Sequence, residues 1–69
     1  MRSYILDRTD PAVMAAAHRL AKRYAAHFTV NDVCSYGSYD DTDNTVGIMF
    51  HGVRVSEPVN ASDRDHAEN

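Results

Sequence analysis

The segment DPAVMAAAHRLAKRYAAHF, residues 10–28, most constrains the fold of this chain. Asp10 is a favourable residue to cap a helix, because its carboxylate accepts hydrogen bonds from amides that have no partner within the helix. Pro11 suits the first helical position, where no amide hydrogen bond is lost. The pattern therefore predicts one long helix over residues 11–28.

The predicted helix has one apolar and one basic side. At 100° per residue, seven apolar residues fall within an arc of about 120°, which is the width of a core-facing stripe. The stripe comprises Val13, Met14, Ala17, Leu20, Ala21, Tyr24 and Phe28. Arg19, Lys22 and Arg23 fall on the opposite arc, where an ordinary amphipathic helix meets solvent.

Short strand-like segments surround this helix. SYIL at residues 3–6 predicts a first strand, and VCSYGSY at residues 33–39 predicts a second. TVGIMF at residues 45–50 alternates as a half-buried strand does, and it should form a hairpin with the second. Gly52 then predicts a tight two-residue turn into VRVS, although one long strand with a bulge is an alternative.

This order predicts an α+β fold: a small two-layer domain with one helix packed on an antiparallel sheet, in the order β-α-β-β with a further β after the tight turn. We expect residues 1–58 to form this single domain. Residues 59–69 have no hydrophobic periodicity and predict a disordered acidic tail. One helix covers one sheet face, so Tyr4, Tyr36 and Met49 are candidates for the uncovered face.

Chain length and cysteine content lead to expectations about the oligomeric state and the cellular compartment. Sixty-nine residues bury little surface, so we expect marginal stability and a homodimer or a tightly held partner. Cys34 is the single cysteine and forms no intramolecular disulfide, which favours a reducing cytoplasm. The sequence shows neither a signal peptide nor a membrane-spanning run, so we expect no membrane contact.

The usual constellations of catalytic and metal-binding residues are missing from the sequence. The histidines lack the paired short spacing of zinc sites. The glycine that follows the DDTDN loop falls at the wrong offset for a calcium loop, and no glutamate closes it. Cys34 falls within a predicted strand, with no adjacent cation or helix N-terminus to activate it as a nucleophile. We therefore expect no enzyme activity, no metal and no cofactor.

Two functions remain. The first is nucleic-acid binding through Arg19, Lys22 and Arg23, which the net charge of −3 and the acidic flanks disfavour because phosphate contacts supply much of the affinity. The second is protein binding, which the segregation of basic helix and acidic loop favours, because such fields orient docking. The candidate contact residues are Arg19, Lys22, Arg23, Tyr36, Tyr39, Asp40, Asp41 and Asp43.

In length, acidic balance and the order of SYIL, PAVMAAAHRLAKRYAAHF and a following hairpin, the chain resembles small phage-encoded inhibitors of the anti-CRISPR type. The resemblance covers the layout of residues 3–56, contains no diagnostic motif and transfers no functional residue. It implies a stoichiometric inhibitor of a host protein complex in the host cytoplasm. Some such inhibitors occupy a nucleic-acid groove with acidic side chains; Asp40, Asp41 and Asp43 suit that role, and a solvated loop explains them equally well.

Overall fold

The computed structural model describes residues 3–63 and confirms the α+β class. Strands β1 (Ser3–Tyr4), β2 (Ser38–Asp40), β3 (Thr45–Phe50) and β4 (Val53–Pro58) form an antiparallel sheet in the order β1-β2-β3-β4. Helices α1 (Pro11–Arg23) and α2 (Val30–Tyr36) lie between β1 and β2 in the chain. Residues 61–63 are also helical, so the described chain has three helical segments instead of the one predicted.

Helix α1 begins as the sequence predicts. Asp10 accepts hydrogen bonds from the amides of Ala12 and Val13, and Pro11 occupies the first turn. The apolar stripe is confirmed, because all seven of its residues are buried or pack against the core. The buried surface is wider than the stripe, since Ala12 and Ala16 are also fully buried and α2 packs beside α1. Alanine side chains allow that close approach of two helices.

The predicted end of the helix at residue 28 is wrong, because α1 ends at Arg23. Tyr24 leaves the helical conformation at φ −115° and ψ 36°, and residues 24–27 form a turn. The turn brings three aromatic rings together: the ring of Tyr24 lies 5.3 Å from that of Phe28 and 5.5 Å from that of Phe50. These contacts connect the end of the helix to strand β3.

The predicted strand over residues 33–39 is also wrong. Residues 30–36 form α2, and only Ser38–Asp40 are in a strand. A reciprocal capping box explains the start of the helix: Asp32 N–H donates to Thr29 Oγ1, and Thr29 N–H donates to Asp32 Oδ2. Val33 and Cys34 then bury one side of the helix, so Cys34 is a buried helical residue.

The hairpins agree with the sequence pattern. Strand β2 pairs with β3, and β3 pairs with β4 across a two-residue turn. His51 and Gly52 both have positive φ, at 50° and 79°, as a type I′ turn requires, and this excludes the alternative of one long bulged strand. The first strand is shorter than predicted: Ser3–Tyr4 pair with β2, whereas Leu6 leaves the sheet and enters the core.

The ordered chain continues past the predicted domain boundary at residue 58. Val59 is a buried core residue, and its amide donates to the carbonyl of Asn44 at 2.9 Å. Asp63 accepts a hydrogen bond from Arg19 at 2.8 Å. The predicted disordered tail is therefore wrong for residues 59–63, and its remainder, residues 64–69, lies outside the described residues.

The sheet face that points away from the helices is polar. The strand register places Ser38, Thr45 and Arg54 on this outer face. Arg54 lies across it, donating to Thr45 Oγ1 at 2.9 Å and to the Ser38 carbonyl at 3.2 Å. Met49 is the large apolar residue exposed there. Of the three candidates for the uncovered face, Met49 lies there, whereas Tyr4 lies on the helix side of the sheet and Tyr36 lies in α2.

Candidate binding site

An open cavity of about 240 Å³ lies on the helix side of the sheet, beside strands β1 and β2. Helix α1 packs over β3 and β4, and α2 packs over α1 and β3, so neither helix layer extends far over β1 or β2. We call this space the β1–α1 cavity. It is lined by Tyr4, Ile5, Asp7, Asp10, Val13, Tyr39, Asn44 and Val59.

Two tyrosines form the sheet wall of the cavity. Tyr4 of β1 pairs directly with Tyr39 of β2, so both side chains project to the same face of the sheet. Tyr39 is half-buried, whereas Tyr4 is 46% exposed and the adjacent Ile5 is 88% exposed. An apolar and aromatic surface is therefore presented to solvent at the edge of the cavity.

Asn44 makes hydrogen bonds to residues on two sides of the cavity. Its Oδ1 accepts from the Tyr39 hydroxyl at 2.5 Å, and its Nδ2 donates to the Val59 carbonyl at 3.1 Å. Asn44 has φ 57°, a left-handed conformation that asparagine tolerates better than most residues. These two hydrogen bonds hold the tyrosine ring and the segment after β4 in place.

Two carboxylates lie where the chain passes from β1 to α1. Asp7 Oδ1 accepts from the Thr9 amide at 2.9 Å and from the Thr9 hydroxyl at 2.5 Å. The hydrogen bond from the Thr9 hydroxyl, and to a smaller extent that from the Thr9 amide, lowers the pKa of the exposed Asp7 carboxyl below its ordinary value. Asp10 caps α1 through Oδ1. Both residues line the cavity, and Asp7 stays ionised at neutral pH.

The structure places Arg19 and Arg23 of the predicted basic face against the end of strand β4 and the segment that follows it. Arg23 Nη1 lies 2.6 Å from Glu57 Oε2, and Arg19 Nη1 lies 2.8 Å from Asp63 Oδ2. Arg19 Nη2 also donates to the Pro58 carbonyl at 2.7 Å. We call Arg19, Arg23, Glu57 and Asp63 the ionic cluster. Lys22 is exposed and belongs to none of these pairs.

The acidic loop does not present three equivalent carboxylates. Asp40 is only 2% exposed and accepts from the Thr42 amide at 2.8 Å, so it holds the turn between β2 and β3. Asp43 accepts from the Thr45 hydroxyl at 2.7 Å, and Asp41 is exposed. Of the two candidate tyrosines, Tyr39 lines the cavity, whereas Tyr36 is 80% exposed at the end of α2.

Sequence reasoning did not bring the cavity residues together. Asp10 was identified as a helix cap and Tyr39 as a contact residue, but no sequence signal joined either of them to Ile5, Asp7 or Asn44. The juxtaposition depends on the pairing of β1 with β2, which are separated by both helices. The Asp7 turn lies in the polar cluster DRTDP, residues 7–11, and clusters of Asp, Thr and Pro are a sequence signal for turns.

Other kinds of site find no support in the described part of the chain. Within residues 3–63, no group of three or more histidine, cysteine or carboxylate side chains is arranged to hold a metal ion. No helix in the same range is long and apolar enough to cross a bilayer. Cys34 is buried, with its Sγ 3.7 Å from Met14 Sδ.

Comparisons with known proteins give no relative. No protein-family model matches the chain, and no curated protein or solved structure matches it either.

Proposed function

We propose that the protein is a small protein-binding module that acts by occupying a surface of its partner, as a stoichiometric inhibitor or modulator of a host protein complex would. The observation that carries this proposal is the open β1–α1 cavity, with Tyr4 and Ile5 exposed at its edge. Exposed aromatic and aliphatic residues beside a preformed concave surface are typical anchors of protein interfaces. A cytoplasmic setting belongs to the same proposal.

The charge arrangement supports protein binding over nucleic-acid binding. Two of the three cations of the predicted basic face, Arg19 and Arg23, neutralise Glu57 and Asp63 of the same chain. An arginine that is already paired has less to gain from phosphate, because the internal contact must first be broken. Lys22 alone supplies little of the backbone affinity that a nucleic-acid interface needs.

Affinity capture with matched surface variants tests the proposal. The immobilised protein is incubated with several bacterial lysates, and retained proteins are quantified by mass spectrometry. The double variant Tyr4→Ser/Ile5→Ser removes the apolar rim of the cavity. Met49→Ser/Val53→Ser removes the same number of exposed apolar side chains elsewhere, since both residues are 63% exposed. We expect one stoichiometric partner that the control variant retains and the cavity variant loses.

The proposal fails if no lysate yields a stoichiometric partner, or if both double variants lose it equally. A mobility-shift assay at low salt tests the nucleic-acid alternative separately. We expect no shift; a shift that weakens steeply with salt and disappears in Lys22→Ala would favour that alternative.

The predicted homodimer remains a prediction. A second copy could pair through the open sheet face or through an edge strand. The open face is polar and is crossed by Arg54, so Met49 offers limited apolar area there. Strand β1, at one edge of the sheet, has only two paired residues. Size-exclusion chromatography with light scattering at micromolar concentration measures the molar mass of the protein. A monomer mass would mean that the exposed rim of the cavity binds a different protein and not a second copy.

A further inference from the structure

Strand β4 has an uncovered edge. It is the last strand of the sheet and pairs only with β3, so one side of its backbone faces away from the sheet. The two residues that flank the type I′ turn form a hydrogen-bonded pair, and hydrogen-bonded and non-hydrogen-bonded pairs then alternate along the ladder. The Val59 amide follows this alternation by donating to the Asn44 carbonyl. The N–H and C=O groups of Arg54 and Ser56 therefore point outward.

These outward groups are available for pairing. Among residues 3–63, no backbone or side-chain hydrogen bond is made to the N–H or C=O group of Arg54 or Ser56. The next outward carbonyl, that of Pro58, accepts from Arg19 Nη2 at 2.7 Å, so this end of the edge is already closed. Unpaired backbone groups along a strand edge are a template for pairing with another chain.

The features of β4 that could block pairing leave residues 53–57 open. Proline, a bulge or a charged side chain on the strand blocks many sheet edges. The register of β4 with β3 is continuous, and the proline of the strand is its last residue, Pro58. The Arg54 side chain turns back over the outer sheet face, where it donates to Thr45 Oγ1 and to the Ser38 carbonyl. Its charge is thus directed away from the edge.

A second copy of β4 fits this edge in one antiparallel register. A two-fold axis at Val55 would place each Arg54 opposite Ser56 of the second copy, and such pairs exchange both backbone hydrogen bonds. An axis at Arg54 would place two like charges directly opposite each other, which is destabilising. An axis at Ser56 would place Pro58, which has no N–H, opposite Arg54. The register about Val55 avoids both conflicts.

The side chains beside the edge are compatible with a second copy in this register. On the helix side of the sheet, Val55 would meet Val55 of the second copy, and β-branched residues in such cross-strand pairs are favourable. Val53, which is 63% exposed, would lie opposite Glu57 of the second copy and pack against its methylene groups. The arginines of the ionic cluster are already paired with its carboxylates, so they add little repulsion between the copies.

We infer that β4 is the contact between two copies of this chain, which pair as antiparallel neighbours about Val55 and join their sheets into one continuous sheet. Strand β1 lies at the opposite edge of each sheet, so both β1–α1 cavities remain accessible at the two ends of the dimer. The inference goes beyond the proposed function and does not depend on it, because self-pairing is measured on this protein alone.

Molar mass as a function of concentration tests the contact. Light scattering from micromolar to near-millimolar concentration should show the mass rise from that of one chain to that of two. Ser56→Pro removes the outward N–H of Ser56 without removing a hydrogen bond to β3, whereas Ser56→Ala keeps that N–H. We expect Ser56→Ala to dimerise as the wild type does and Ser56→Pro to stay monomeric. A wild-type monomer at every concentration, or equal dimerisation of both variants, would overturn the inference.

Hydrogen exchange of the wild-type amides gives a second test that does not depend on whether Ser56→Pro folds. The amides of Val55 and Glu57 point to β3 and should be protected at every concentration. The amides of Arg54 and Ser56 should exchange about tenfold or more slowly once the dimer forms. Unchanged exchange at high concentration would overturn the inference. Protection of these two amides only after a captured foreign protein is added would assign the edge to a strand of that protein instead.

Cysteine cross-linking tests the register. In a non-hydrogen-bonded antiparallel pair the two Cα atoms lie about 4.5 Å apart, within the range of a disulfide. In mild oxidant, Val55→Cys should therefore form an intermolecular disulfide about fivefold or more faster than Val53→Cys, since paired thiols have a high effective concentration. Val53 is the more exposed residue, so random collision would favour it. The wild type, whose Cys34 is buried, gives the background rate. Faster cross-linking of Val53→Cys would overturn the inference.

Discussion

Strands β3 and β4 lie under helix α1, whereas strands β1 and β2 extend beyond the helix layer. In the covered half, Val46 and Ile48 enter the core, and the cations of α1 pair with carboxylates of the same chain. In the uncovered half, Tyr4 and Ile5 are exposed, and the Asp7 carboxylate is held by hydrogen bonds from Thr9 instead of by a cation. The arginines of the covered half are used in contacts between distant parts of the chain, and the Asp7 carboxylate of the uncovered half is used in hydrogen bonds within its own turn.

Shortening a core side chain should produce the largest difference in stability between the two halves. Leu20 is fully buried in α1, so we expect Leu20→Ala to lower the free energy of unfolding by about 2–5 kcal/mol through lost burial and the cavity left behind. Ile5→Ala in the uncovered half should change it by less than about 0.5 kcal/mol, because Ile5 is 88% exposed. Urea unfolding measures both. Similar losses would show that the uncovered half contributes to the core as much as the covered one.

The covered half was the more predictable from sequence because its signals are local. The Asp10–Pro11 start, the apolar stripe of α1 and the glycine turn at residue 52 each act within a few residues. The end of α1 was not predictable in this way, since residues 24–28 contain no glycine or proline and the turn depends on packing with Phe50.

The candidate site was less predictable because its residues meet only through long-range pairing. Tyr4 and Tyr39 are brought together by the β1–β2 pair, and Val59 joins them through Asn44. Helix α2 was misread because Val33, Tyr36 and Tyr39 favour strands by composition. The Thr29–Asp32 capping box fixes helical geometry there instead, and its T-x-x-D spacing was a signal that could have been read.

A substitution at the junction between the two halves should have the next largest effect on the free energy of unfolding. Gly37 joins α2 to β2, and an added Cβ would lie against the Val33 carbonyl oxygen and 2.6 Å from the Gly47 carbonyl oxygen. Both obstacles are backbone atoms, so we expect Gly37→Ala to cost about 1–3 kcal/mol through overpacking. Ser35→Ala, at an exposed position of α2, serves as the control in the same urea measurement. No difference between them would mean that α2 and β2 separate easily.

The ionic cluster should contribute less than the core. Arg19→Met keeps the apolar stem but removes the contacts with Asp63 and the Pro58 carbonyl, and we expect a loss of about 1 kcal/mol. The loss should shrink in 1 M salt, as screening weakens the pairs that the wild type keeps. Lys22→Met removes an exposed charge without an ion pair in the cluster and should be nearly silent. If Arg19→Met and Lys22→Met lost the same stability at low and at high salt, the ion pair of Arg19 would not contribute to stability.

The smallest predicted effect concerns the ionisation of Asp7. Thr9→Ala removes the hydroxyl that donates to Asp7 Oδ1 but keeps the amide donor, so the pKa of Asp7 should rise partway towards its ordinary value. Because the folded pKa of Asp7 lies below its unfolded value, its contribution to stability is present above the unfolded pKa and is lost as the pH falls through the folded pKa. Thr9→Ala should reduce that acid-dependent part and leave other carboxyls unchanged. Carbon-detected NMR titration of the side-chain carboxyls measures this, with Thr42→Ala, beside Asp40, as the control. An Asp7 pKa that stayed the same in Thr9→Ala would mean that something other than the Thr9 hydroxyl keeps this carboxylate charged in the uncovered half.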